Sequence, residues 1–268
     1  MMKSGAISIS RTSSISRRLF DICARIEVLL RSDKPILAFP EMEAASNGNG
    51  NGKRTGRAYT GKIRKFAPAL FAPAIKVSKE GKRVFVVPIS VSYDFVAEDG
   101  YFSSLIEAEK MKKSKNPLAI LAGKLYYTFL ESCFFWNLYS LGRGNIYIDT
   151  GQPILVEPSA SKKELAYVAQ KEAARCYRVT MPALVSYAIS KGATSREALQ
   201  KFVEKSSQLL MEANLHFEHS ANLKESIEGA LHDLEERKII SNHKGISVKA
   251  PEIIGYYANT IAHHFEHI

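Results

Sequence analysis

A cluster of small and cationic residues near the start of the chain has the composition of an anion-binding loop. Within seven positions it contains Gly56, Arg57, Thr60, Gly61 and Lys62. Glycine lets backbone N–H groups approach an anion closely, and arginine can grip a phosphate with two parallel hydrogen bonds. These residues predict a phosphate-binding site. A basic surface loop is the alternative, because short motifs of this kind also occur by chance.

A carboxylate precedes this cluster. The apolar run 36–39 ends at Pro40 and Glu41, which is typical of a buried strand that delivers a side chain to the edge of a sheet. Residues 42–54 contain the low-complexity run SNGNGNG, which predicts a surface loop that leaves and returns to one point. Glu41 is therefore expected to lie close to Arg57, where it could fix that side chain or a substrate hydroxyl.

Strand-like and helix-like patterns alternate around these residues. The links between them are short, which favours right-handed crossovers and parallel strands. We expect an α/β fold with a mostly parallel sheet flanked by helices. Its neighbouring strands are predicted at 36–39, 84–91 and 145–150, with a helix over 16–31 packed on them. The run 84–91 is almost wholly apolar, which predicts a central strand buried on both faces, and Pro88 within it requires a bulge or a strand end.

The second half of the chain is mainly helical in pattern. Helices are predicted at 164–175, from 182, after a cap at Ser195, and at 223–238. Residues 239–248 predict a small hairpin, and this order is similar to that of winged-helix domains. We therefore divide the chain into an α/β core, residues 1–157, and a helical C-terminal domain, residues 158–268.

The positive charge of the chain is unevenly distributed. The net charge is +10, yet residues 1–90 alone hold 17 Lys/Arg against 6 Asp/Glu. This excess favours an anionic partner near the predicted phosphate motif: a phosphorylated substrate, the phosphates of a coenzyme or an anionic membrane surface. A solvated basic face is the alternative. Residues 158–268 are nearly neutral, which argues against nucleic acid as the partner of the winged-helix-like end.

Three other sequence patterns concern disulfides, metal sites and membrane spans. The three cysteines are far apart and form neither a disulfide framework nor a zinc pattern. The tetrapeptide His-Phe-Glu-His occurs at 216–219 and 264–267, but surface or core-edge histidines explain it better than a metal site. Residues 117–141 are strongly apolar and interrupted by charges, which predicts a buried or interfacial helix rather than a spanning one.

Five segments together resemble the glycerol-3-phosphate/dihydroxyacetone-phosphate acyltransferase family. Residues 5–11 (GAISISR) look like its second block, Gly-x-Phe-Phe-Ile-Arg-Arg. Phe39–Glu41, rejoined at 56–62 (GRAYTGK), is similar to its third, Phe-x-Glu-Gly-x-Arg-Ser-Arg-Thr-Gly-Lys. Residues 86–93 (VVPISVSY) resemble its fourth, a strand with a Val-Pro-Ile core. The two remaining segments, 144–154 and 256–261, resemble a late strand and the end of its C-terminal region.

The chain also departs from the family pattern. The first block, His-x-x-x-x-Asp, supplies the catalytic base of the family, but no histidine here has an aspartate five positions later and every histidine lies at or after His216. Ser10 and Tyr59 stand where the second and third blocks carry arginines. The resemblance then implies that the base comes from sequence missing here. This chain is expected to be a C-terminal portion of the enzyme, with little or no activity alone. A base reaching across from His263 or His264 is the alternative.

The resemblance implies a reaction and a set of contacts. The reaction is transfer of a fatty acyl group from acyl-CoA or acyl carrier protein to glycerol 3-phosphate or dihydroxyacetone phosphate in phospholipid biosynthesis, at the cytoplasmic side of a membrane and without metal or cofactor. A non-catalytic relative that binds lipid phosphates or a partner chain is the alternative function. The implied substrate-binding residues are Arg11, Glu41, Gly56, Arg57, Thr60, Gly61, Lys62 and Pro88.

Overall fold

The computed structural model describes residues 15–41, 60–96, 116–118, 121–122, 125, 144–217, 222–242 and 245–266. The chain divides into two compact units, each built from separate stretches of sequence. The first unit comprises 1–54, 63–90 and 150–176, and the second comprises 55–62, 91–149 and 177–268.

Helices account for most of the regular structure in the described residues. The predicted cap of one of them is confirmed, because Ser195 Oγ accepts the Ala198 N–H at 3.1 Å. Asn222 caps another helix in the same way. The helices are α1 (Ile15–Arg31), α2 (Ala72–Lys79), α3 (Lys162–Arg175), α4 (Met181–Ser190), α5 (Arg196–Glu212), α6 (Leu223–Glu236) and α7 (Pro251–Ile261), with 3-10 turns at Pro68–Phe71 and Ala262–His264.

The first unit has a small apolar core between helices and strand ends. Residues from α2 and α3 meet Val84 and Val156 there. Ser78 Oγ donates to the Val156 carbonyl at 2.6 Å, so the buried hydroxyl of α2 is satisfied. The predicted helix over 16–31 is confirmed as α1, and it packs on α2 and on the adjoining 3-10 turn.

The second unit is built around one helix that is buried on all sides and mostly apolar. Every residue of α4 from Met181 to Ile189 is buried, and α4 contacts α5, α6 and α7. A helix that is apolar on all sides must be enclosed by its neighbours. The predicted hairpin is confirmed as β5 (Ile240–Ser241) and β6 (Ser247–Val248), which pair antiparallel.

The mixed α/β content of the fold is confirmed, but the described residues form no large parallel sheet. The strands β1 (Phe85–Val86), β2 (Ile89–Tyr93), β3 (Ile146–Thr150) and β4 (Ile154–Leu155) form two-stranded antiparallel sheets, β1 with β4 and β2 with β3. The prediction of a strand at 145–150 that neighbours the run 84–91 is therefore confirmed by the pairing of β3 with β2. Parallel sheets need helices on both faces, whereas Ile146 and Ile148 on the outer face of β3 are exposed.

The run 36–39 is not a strand. It has no regular secondary structure and pairs with no strand of the described residues, and Leu37 and Phe39 are 71% and 82% exposed, so the predicted buried strand is wrong. Glu41 alone forms an isolated antiparallel bridge, with Phe66. Prolines 35 and 40 flank the run and lack the N–H groups that a ladder needs, which limits the pairing of this segment.

The run 84–91 is divided rather than continuous. Pro88 lies between β1 and β2, which confirms the expected strand end. The predicted burial on both faces is wrong, because Phe85, Val87 and Ile89 are exposed while Ser90 is buried. The alternation of exposed and buried residues indicates two short strands, each of which buries one face against the rest of the protein.

Most of the apolar segment 117–141 lies outside the described residues, as do residues 243–244 of the predicted hairpin. Among the helices that the structure describes, none is both long enough and apolar enough to cross a membrane.

Candidate functional site

Three of the residues predicted to bind substrate, Arg11, Gly56 and Arg57, lie outside the described residues. The expected proximity of Arg57 to Glu41 therefore stays a prediction. Glu41 itself is half-buried at its bridge with Phe66.

The end of the predicted anion loop is fixed on α7. Asn259 Nδ2 donates to the Thr60 carbonyl at 2.9 Å. Gly61 is buried with φ +68°, and a Cβ atom at this position would lie 2.1 Å from the Tyr256 carbonyl oxygen. Only glycine fits this approach. Lys62 is exposed next to it, so the loop end is anchored through its backbone while its cation faces solvent.

Pro88 is buried in the first unit, and its carbonyl accepts the Gly151 N–H at 2.9 Å. The contact links the residue that precedes β2 with the residue that follows β3. The expected role of Pro88 as a wall of the substrate site stays a prediction.

A polar cluster that the sequence reasoning missed lies in the second unit, centred on Asp149 of β3. The Asp149 side chain is only 7% exposed. Both of its oxygens accept from Arg178, Oδ2 from Nε at 3.0 Å and Oδ1 from Nη2 at 2.6 Å. This bidentate geometry is the strongest form of an arginine–carboxylate pair.

Two further contacts hold Arg178 in place. Ser92 Oγ on β2 accepts the Arg178 backbone N–H at 3.0 Å. The guanidinium carbon lies 5.0 Å from the centroid of the Tyr147 ring, a cation–π distance. Tyr147 and Asp149 share the inner face of β3, so one strand provides both the ring and the carboxylate.

His216 completes the cluster. Its Nδ1 lies 3.3 Å from Asp149 Oδ1, and its side chain is 43% exposed. The His216 carbonyl accepts the Val179 N–H at 2.8 Å, next to the bridge between Val179 and Phe217. The backbone therefore holds the imidazole beside the buried carboxylate.

Two other histidines follow α7, and one of them, His264, is unsuited to the role of base that the sequence suggested for it. His264 is buried, and its Nε2 donates to the Tyr177 carbonyl at 2.9 Å. Burial, followed by repulsion from the neighbouring His263, lowers the pKa of His264 to about 3. The His263 ring packs against both Tyr177 and His264. His264 is thus a neutral core histidine rather than a base that reaches a substrate.

The described residues contain no group of three His, Cys, Asp or Glu side chains arranged to hold a metal ion. Parts of both His-Phe-Glu-His tetrapeptides fall outside those residues.

One local feature of the sequence could have indicated the Asp149 cluster. In the strand Ile146–Thr150, the alternation places Tyr147 and Asp149 together on one face, opposite two isoleucines. An aspartate in such a strand either lies at the surface or is buried beside a group that pairs with its carboxylate. Nothing in the sequence identified Arg178 or His216 as that partner, because Arg178 lies 29 positions away and His216 lies further still.

No protein-family model matches the chain, and no curated protein is similar to it at a significant level.

The contact between Gly61 and α7 makes a stability prediction. Gly61→Ala adds both a left-handed backbone strain and a clash with the Tyr256 carbonyl, so we expect the free energy of unfolding to fall by about 2–5 kcal/mol. Gly192→Ala is the matched control, since φ is +95° there but nothing lies within 4 Å of the added Cβ. Its expected loss is about 1–2 kcal/mol. Equal losses for the two variants, measured by urea unfolding, would contradict the close packing on α7.

The buried His264 makes a pH prediction. The unfolded chain takes up a proton on this side chain below about pH 6.5, whereas in the folded chain the pKa is about 3. Its contribution to stability is therefore lost as the pH falls from about 6.5 toward 3, by about 2 kcal/mol between about pH 7 and pH 5. His264→Gln should flatten this slope in the unfolding free energy. His232→Gln, at an exposed position, should leave the slope as in the parent chain.

Proposed function

We propose that this chain acts in the transfer of a fatty acyl group from acyl-CoA or acyl carrier protein to glycerol 3-phosphate or dihydroxyacetone phosphate, in phospholipid biosynthesis. The observation that carries the proposal is that the four family-like segments that the structure describes, in whole or in part, contact one another in two pairs. The fourth-block segment 86–93 pairs with the late strand segment 144–154 through β1–β4 and β2–β3.

The other two described segments meet in the second unit. Thr60 and Gly61, at the end of the third-block segment, lie against Tyr256 and Asn259 of the C-terminal segment. Thr60 and Asn259 are 199 positions apart along the chain. A chance match of short motifs gives no reason for such contacts, whereas segments that serve one site are expected to converge.

The chemistry requires a phosphate-binding cation near the acyl acceptor. Arg57 carries this role by resemblance, because one guanidinium can form two charge-assisted hydrogen bonds to a phosphate. Lys62, exposed beside the anchored Gly61, supplies a second positive charge to the same loop. The resemblance gives Glu41 the complementary role of accepting a hydrogen bond from the acceptor or from Arg57.

Arg57 is the residue with which to test this proposal. A charge-assisted phosphate contact contributes roughly 1.5–3 kcal/mol, so Arg57→Ala should weaken glycerol 3-phosphate binding about 10- to 150-fold. Isothermal titration of the purified chain measures the effect without requiring turnover. Arg25→Ala, which removes an exposed arginine of α1, serves as the control and should bind as the parent chain does.

The outcomes test the phosphate site and the missing base separately. Binding that depends on Arg57, without transfer of labelled palmitate, supports the phosphate site and agrees with a base supplied by sequence missing here, as well as with a non-catalytic relative that recognises lipid phosphates. Robust transfer to glycerol 3-phosphate by this chain, abolished by Arg57→Ala, supports the acyltransferase and shows that the missing first block is not needed. Absence of Arg57-dependent binding would remove the phosphate-site assignment and with it the proposed function.

Contact with the cytoplasmic side of a membrane is part of this proposal. The lipid product requires access to a bilayer, and two features of residues 1–90 favour it. Leu37 and Phe39 are largely exposed, as is Phe20 of α1. Residues 1–90 also carry 17 Lys/Arg against 6 Asp/Glu, which attracts an anionic surface.

The exposed apolar pair can be tested directly. The double variant Leu37→Ser, Phe39→Ser should reduce co-sedimentation with vesicles of phosphatidylcholine and phosphatidylserine by about tenfold or more, since each apolar side chain contributes roughly 1.5–3 kcal/mol when fully removed from water. Tyr167→Ser, at an exposed position of α3, is the control. Equal binding by the parent chain and the double variant would exclude this pair from membrane contact.

A further inference from the structure

We propose that the second unit binds the surface of an anionic lipid bilayer through three leucines, Leu118, Leu121 and Leu125, which we call the leucine stripe. Membrane contact is part of the proposed function, on which this inference rests. The leucine stripe adds a second contact, separate from Leu37 and Phe39, and selects lipids by their charge.

The leucine stripe lies on a helix with a capped start. Asn116 Oδ1 accepts the Leu118 N–H at 3.0 Å, and Pro117 occupies the first helical position. Asparagine caps are common at helix starts, and proline suits the position that follows because the first turn leaves its N–H groups unbonded. The described residues between positions 117 and 125 are helical. Leucines that are three and four positions apart lie on one face of such a helix.

All three leucines of the stripe are exposed, by 75%, 56% and 66% in chain order. The helices that pack in the second unit behave differently. On α5, for example, Leu199, Val203 and Leu210 have the spacing of an apolar face and are 0% exposed. The described residues therefore leave the leucine stripe uncovered and accessible to a partner.

The sequence around the leucine stripe defines the charge of that partner. Residues 110–130 contain five lysines and no acidic residue, and four of the lysines fall within 110–115, directly before Asn116. Each lysine close to an anionic membrane strengthens binding by about fivefold. An apolar helix face next to a lysine cluster is typical of a helix that lies in the interface of an anionic bilayer.

A second copy of this chain fits the leucine stripe less well. In a symmetric dimer the same patch of each subunit meets its copy, so the two lysine clusters would be brought together, and such like-charge contacts oppose association. An anionic bilayer instead attracts the lysines and takes up the leucines. Ile146 and Ile148 of β3 are exposed to a similar degree, but no run of lysines adjoins them, so their surroundings do not favour a bilayer in this way.

The test uses the purified 268-residue chain with Leu37→Ser and Phe39→Ser already in place, so that the first contact does not contribute. Binding to phosphatidylcholine vesicles, with and without phosphatidylserine, is measured by co-sedimentation. The single tryptophan of the chain, Trp136, provides a second readout because it belongs to the same apolar segment, 117–141. Quenching of its fluorescence by brominated lipids reports contact with the bilayer.

We expect the double variant Leu121→Gln, Leu125→Gln to lower binding to vesicles with phosphatidylserine by about tenfold or more, and to abolish the quenching. Glutamine has a helix propensity close to that of leucine, so the helix is retained. Met211→Gln, at a 48% exposed position of α5, is the matched control and should bind as the background chain does. Lys112→Gln, Lys113→Gln should weaken binding to these vesicles by about tenfold or more, and should not affect binding to pure phosphatidylcholine.

The other outcomes contradict the proposal in distinct ways. Vesicle binding that is unaffected by the leucine substitutions, or absence of quenching in the background chain, overturns the leucine stripe and leaves the acyltransferase standing. Equal binding with and without phosphatidylserine overturns the selection of anionic lipids. A melting temperature that falls in the leucine variant without lipid, or a dimer that this variant no longer forms, places the stripe against protein and overturns the bilayer. Failure of Arg57-dependent binding of glycerol 3-phosphate overturns the proposed function alone, so the two failures are distinguishable.

Discussion

The buried pair between Asp149 and Arg178 determines how the strands of the second unit are arranged. A carboxylate that is 7% exposed is tolerable only when its charge is matched and its oxygens are hydrogen-bonded. Removing one partner from such a pair typically costs about 3–5 kcal/mol. Arg178 lies just before α4, so the same contact joins β3 to the start of the helix around which the second unit packs.

This constraint explains why the faces of β3 are the reverse of the usual pattern. Ile146 and Ile148 are exposed, whereas Asp149 is buried. Exposing an isoleucine forfeits roughly 1.5–3 kcal/mol, but turning the strand over would also leave Arg178 without the carboxylate and place the isoleucines against a polar surface. Ser92 on the neighbouring strand adds a third polar group to the inner face. Satisfying buried polar groups therefore takes precedence over burying apolar ones here.

Local patterns predict α1, α3, α4, α5, α6 and the small hairpin correctly, because their signals lie within a few residues. The cap at Ser195 and the apolar face that follows it are examples. The sheet is mispredicted because strand pairing depends on distant partners. Residues 36–39 have the composition of a strand yet pair with no strand among the described residues, and the run 84–91, predicted to be buried on both faces, exposes Phe85, Val87 and Ile89. The Asp149 cluster was not predicted for the same reason, because its residues come from stretches that are far apart along the chain.

The structure also changes what individual residues of the predicted phosphate-binding loop, 56–62, indicate about phosphate binding. In the sequence, glycine at position 61 counts toward phosphate binding, but the Tyr256 carbonyl leaves no room for any side chain there. Packing alone accounts for that glycine. That glycine therefore gives no independent support for a ligand at this position. The argument for phosphate at this loop therefore rests on its cations, because Lys62 faces solvent and its charge takes no part in the packing that explains Gly61, whereas the role of Arg57 rests on the family resemblance.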